Sequence, residues 1–150
     1  MTTSVRWRPV GLAVFALLWG CTGQPVARSP HVQGSLAALT KLGQSPSGVR
    51  LTLYVRQGWH IGAPDAQSAG LPTRIAWELP NGWSVARERW PQAARVPVAG
   101  DTISMFSGAV DVEAVFAHPE TTKPGPIKAV VTYGACKNIC VPGKLTLTLD

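Results

Sequence analysis

The 150-residue chain is short of the residues that most enzyme chemistries need. It has three cysteines, three histidines and two methionines, and 8 acidic residues against 14 basic ones. No paired carboxylates, Ser/His/Asp grouping or glycine-rich phosphate loop stands out, so acid–base, triad and nucleotide chemistry have no support. Neither Cys-x-x-Cys nor His-x-x-x-His occurs, which leaves zinc without its usual ligand spacing. There is no basic run and no interleaving of basic with aromatic residues. The net charge of +6 therefore reads as ordinary surface charge, and nucleic acid is not an expected partner. Internal repeats and long helical patterns are also missing. The longest apolar run, Val10–Trp19, is about half of what a helix needs to cross a bilayer of roughly 30 Å.

That run has a different reading. Arg6 and Arg8 precede it and Gly20-Cys21 follow it, which is the order of a secretory signal. Leu18-Trp19-Gly20-Cys21 resembles a bacterial lipoprotein signal, in which Cys21 would carry the lipid; a plain secretory leader is the alternative. The expected division is a signal peptide over 1–21, a tether over 22–47 and one domain over 48–150. Within the tether, Leu36-Ala37-Ala38-Leu39 fits a helical turn, an edge strand or plain linker. Export places the two remaining cysteines in an oxidising compartment.

After Gly48 the pattern becomes strand-like. Arg50–Val55 alternates with Leu51, Leu53 and Val55 on one face, and Thr73–Leu79 with Ile75, Trp77 and Leu79. Ala109–Phe116 alternates with Val110, Val112, Ala114 and Phe116 against Asp111 and Glu113. Weaker or shorter strands are expected at Trp83–Trp90, Thr102–Phe106, Ile127–Tyr133 and Leu145–Leu149, with Gln57–Ile61 leading into a polar loop over 62–72. Pro80-Asn81-Gly82 and the proline-rich 118–126 are breaks. About seven strands without a helix predict an all-β, immunoglobulin-like antiparallel sandwich.

Cys136 and Cys140 stand between two of these strands. On one flat strand their Cα atoms would be roughly 13 Å apart, whereas a disulfide needs about 4.4–6.8 Å. Pairing therefore requires a turn, and Lys137-Asn138-Ile139 fits a three-residue hairpin loop with Asn138 in the left-handed region. Three readings of the pair stay open on the residues alone. One is a redox couple, with Lys137 favouring a thiolate. Another is a structural staple of about 2 kcal/mol. The third is a Cu(I) site completed by His60, His118 or Met105.

A resemblance favours the first. Gly58-Trp59-His60-Ile61, Gly70-Leu71-Pro72-Thr73-Arg74-Ile75, Trp77–Trp83 (WELPNGW) and Trp90-Pro91 are similar, in order, to the N-terminal periplasmic domain of DsbD-type protein-disulfide reductases. So are Val131–Cys136 (VTYGAC) and Cys140-Val141-Pro142. The resemblance covers about Gly48 to Asp150. It implies an immunoglobulin-like fold and thiol–disulfide exchange, with Cys140 forming the mixed disulfide and Cys136 resolving it. It implies a cap over the cysteines from Ser104–Gly108, with Met105 or Phe106 as the capping side chain. His60, Tyr133 and Lys137 are the candidates for tuning the pair. No cofactor is implied. Here the domain would be an exported protein on its own, without the family's membrane-spanning and thioredoxin-like parts. Its electrons would come in trans from a membrane thiol–disulfide transporter of the DsbD or CcdA kind, or from a thioredoxin-like protein. They would pass to periplasmic proteins carrying disulfides, among them cytochrome c biogenesis factors. Whether such a component is itself an enzyme, a protein-disulfide reductase, is open. The alternative is a non-catalytic immunoglobulin-like binding module with a structural disulfide.

Overall fold

The computed structural model describes residues 23–39, 47–66 and 71–150. Arg6, Arg8 and Cys21 of the expected leader lie outside them. Eleven strands run through the described residues: β1 Val26–Arg28, β2 Val32–Ala38, β3 Gly48–Val55, β4 His60–Gly62, β5 Arg74–Glu78, β6 Ser84–Arg89, β7 Ala94–Val98, β8 Asp101–Phe106, β9 Ala109–Ala117, β10 Ile127–Cys136 and β11 Cys140–Leu149. One sheet has the order β1-β2-β3-β9-β6 and the other β11-β10-β4-β8-β7, with β5 also paired to β10. Every strand pairing is antiparallel. This is the expected immunoglobulin-like sandwich.

Period-two alternation puts one face of each strand between the sheets. Leu51, Leu53 and Val55 of β3 are buried there, as are Val110, Val112, Ala114 and Phe116 of β9. The second sheet contributes Ile61, Ala129, Val131, Ala135, Leu145 and Leu147. Trp77, Trp83 and Trp90 are half-buried and pack against the rim of this core. Glu88 ties the rim together: its carboxylate accepts the indole N–H of Trp77 at 2.7 Å and of Trp90 at 2.6 Å.

Part of the stretch expected to be a tether forms strands, over Val26–Arg28 and Val32–Ala38. Val32 and Leu36 of β2 are fully buried, so the sandwich begins well before Gly48. The alternation was hidden because the inward position between them is Gly34. A Cβ there would lie 3.2 Å from Leu147 Cδ1. β7 was also missed, because Pro97 interrupts it; as the edge strand beyond β8 it tolerates a residue without an N–H.

β4 and β5 occupy the same side of β10 at different heights. β4 pairs with Ala135 and Cys136, β5 with Lys128 to Thr132. Between them the chain leaves the sheet after Gly62 and returns at Thr73. Thr73 is fully buried, and both its N–H (3.1 Å) and its hydroxyl (2.6 Å) donate to the Gly62 carbonyl. That anchor fixes where the excursion re-enters, beside the cysteine pair.

Candidate functional site

β10 and β11 form a hairpin in unbroken register from Ile127↔Leu149 to Cys136↔Cys140. The two cysteines are thus directly opposed at its closed end. They form a disulfide with Cα atoms 4.0 Å apart, just short of the usual range. Lys137, Asn138 and Ile139 make the three-residue loop as expected. Asn138 is not left-handed, however: among the described residues Ala99 is the non-glycine with positive φ. The Lys137 N–H donates to the Ile139 carbonyl at 3.0 Å and closes the loop without that conformation.

The register assigns each side chain a face. On β10, Ile127, Ala129, Val131, Tyr133 and Ala135 point into the core, and Cys136 points away from it. On β11, Cys140, Pro142, Lys144, Thr146 and Thr148 are exposed on that same outer face. The two sulfurs differ in access. Cys136, on the inner strand of the pair, is 5% exposed, while Cys140, on the sheet edge, is exposed.

His60 lies beside Cys136 on β4 and shares its face. Lys137 sits at the hairpin tip, with its ammonium beside Gly58: a Cβ on that glycine would be 3.6 Å from Nζ. Tyr133 lies on the inner face instead. Its ring crosses Gly143, where a Cβ would fall within 2.6 Å of it, and its hydroxyl meets that of Ser29 from the other sheet.

The cap candidates separate. Phe106 pairs with Ile61, which pairs with Ala135. This row faces the core, where Phe106 is buried and stacked on Trp90 at 5.9 Å. The register therefore sets Phe106 on the opposite side of the sheet from the disulfide. Met105 pairs with Gly62 and shares the outer face, half-buried. His118 stacks on Trp83 at 4.3 Å. Trp83 shares a groove with Ile127 and Leu149, at the hairpin's other end, so His118 is not brought to the cysteines. No group of three His, Cys, Asp or Glu side chains that could hold a metal ion is assembled among the described residues.

One neighbour of the pair was not singled out from the sequence. Leu71, in the excursion between β4 and β5, lies over Gly134, two residues before Cys136 and on the same face. A Cβ on Gly134 would come within 2.8 Å of Leu71 Cβ, and one on Gly62 within 2.7 Å of the Leu71 carbonyl. The two glycines make the shelf on which Leu71 rests. Glycines facing each other in mid-sheet are the signal that could have located this contact.

A disulfide whose Cys140 half is exposed at a hairpin tip, outside the inter-sheet cluster, can be attacked there without disturbing that packing. It is the arrangement that thiol–disulfide exchange requires. Comparison with solved structures gives two likenesses of the fold. The N-terminal periplasmic domain of ScsB from Proteus mirabilis superposes with a TM-score of 0.58 at 20% identity. That match covers 81% of this chain and 47% of the ScsB domain, so this chain spans about half the length of that relative. The N-terminal domain of Neisseria meningitidis DsbD in its reduced form superposes with a TM-score of 0.51 at 13% identity, over 85% of each chain. No curated protein sequence matches the chain significantly. The family model of the N-terminal domain of the thiol:disulfide interchange protein DsbD matches residues 33–149. That span runs from the start of β2 to the end of β11 and includes both cysteines, and the chain belongs to this DsbD N-terminal family.

Proposed function

We propose that the chain is an exported thiol–disulfide exchange domain that carries two electrons from a reduced donor to oxidised proteins of the periplasm. The observation that carries this reading is the unequal exposure of an opposed cysteine pair lying outside the core. In the reduced form the Cys140 thiolate attacks a client disulfide. A Cys140–client S–S bond forms and the other client sulfur leaves as a thiolate. The Cys136 thiolate then attacks Cys140. The Cys136–Cys140 bond forms, the second client sulfur leaves, and the client has gained both electrons. A membrane thiol–disulfide transporter or a thioredoxin-like protein restores the dithiol by the same steps in reverse. In this reading His60, paired with Cys136, and Lys137, at the tip, favour the thiolates. Shielding of Cys136 on its own face falls to Leu71, with Met105 further along the sheet. The periplasmic designation of the ScsB domain supports the compartment.

The reduction potential tests this against a structural staple. A value of roughly −180 to −280 mV, in the range of exchange proteins, is expected; a staple would lie below about −300 mV. Equilibration in thiol buffers, with alkylation scored by mass, gives the number. A value below the range of exchange proteins would sink the relay.

A further inference from the structure

The register that exposes Cys140 also fixes what surrounds it. Behind the Cys140–Cys136–His60 row lies a low row, Pro142–Gly134–Gly62, filled by Leu71. Behind that, Thr132 pairs with Lys144 on one side and Arg74 on the other, and all three are exposed on the outer face. Lys137 stands at the tip. The ion pairs among the described residues are Arg50–Glu113, on the other sheet, and Lys128–Glu78, further down this one. Glu78, opposite Lys128 on β5, is already matched by it at 2.8 Å. Asp65, in the excursion, lines a groove with Trp90 and Phe106 toward β8. Lys144, Arg74 and Lys137 thus form an unmatched cationic frame around the sulfurs. Lys144 and Arg74 are four residues, or about 13 Å of strand, from the disulfide row. Ile139, between the cysteines, is 68% exposed and offers an apolar contact at the point of attack.

We infer that this face is the docking surface for client proteins whose disulfide lies in an acidic surface. The inference rests on the exchange reading and names the class of partner. Fields of this kind raise encounter rates with oppositely charged partners and fade once the Debye length falls below the charge separation.

Small disulfides test it directly. The reduced chain is mixed with anionic glutathione disulfide, neutral hydroxyethyl disulfide and cationic cystamine. Each rate is divided by that of dithiothreitol with the same reagent, which removes intrinsic reactivity. At low salt the normalised rate with glutathione disulfide should exceed that with cystamine by about tenfold, and by about twofold or less in 1 M salt. In the double variant Lys144→Gln, Arg74→Gln the low-salt ratio should fall toward one. An Arg87→Gln, Arg89→Gln double variant on β6 removes the same net charge from the other sheet and should keep the ratio. A ratio near one in the unaltered chain, or equal effects of the two double variants, overturns the docking surface while leaving exchange standing. Failure to react even with the neutral disulfide overturns the exchange reading itself.

Discussion

At the scale of single residues, the two cysteines differ in access. In the reduced chain, iodoacetamide should modify Cys140 about tenfold faster than Cys136, since thiol reactivity follows exposure as well as thiolate content. Peptide mapping after short pulses measures this, and equal rates would contradict the assigned roles. The glycine shelf makes a second prediction. Gly134→Ala places a methyl against Leu71 Cβ and should destabilise the chain by about 1–3 kcal/mol. Adding Leu71→Gly removes the clash, so the double variant should recover part of the loss in a denaturant titration. That the pair exists could be read from the sequence, and the family resemblance named the attacking sulfur. The face it lies on could not be read, because a one-residue slip in register would have turned both cysteines into the core.

At the scale of elements, the strands with strong alternation were legible because β3 and β9 each bury one face and β5 half-buries one. β2 was not, for the opposite reason: its inward row is Val32, Gly34, Leu36, and glycine carries no hydrophobic signal. β2 is nonetheless part of the core. Leu36→Ala should lower stability by about 2–5 kcal/mol. A chain begun at Gly48 should fail to give a cooperative thermal transition, and a normal melt would show β1 and β2 to be dispensable. The cap loop illustrates the same limit. Ser104–Gly108 marks a real strand end, but only pairing tells that Phe106 turns to Trp90 and the core while Met105 turns outward.

At the scale of the whole molecule, chemistry and stability are kept on opposite sides of one sheet. Neither cysteine belongs to the cluster between the sheets, so opening the disulfide removes a short-loop constraint and leaves that cluster intact. The expected loss is about 2 kcal/mol, which in a domain of this size lowers the melting temperature by roughly 4–10 °C. Calorimetry of both redox forms checks it. A drop of several tens of degrees would mean that the pair is a staple after all. The sequence-level view of the charge as scattered was correct by count. It missed that two of the cations meet on one face, with Lys137 at the hairpin tip above them, because pairing between distant strands brings Arg74 and Lys144 to either side of Thr132.

The hairpin that carries the cysteines is also the most local long ladder in the fold, with two ten-residue strands joined by three residues. Contacts of short sequence separation form on microsecond timescales, ahead of the long-range pairings that close a sandwich. The ladder that opposes the sulfurs is thus the pairing least dependent on the rest of the sandwich. In an exchange relay of the proposed kind, an oxidant of the compartment would then find the two thiols already opposed, and each new molecule would need its donor before its first turn.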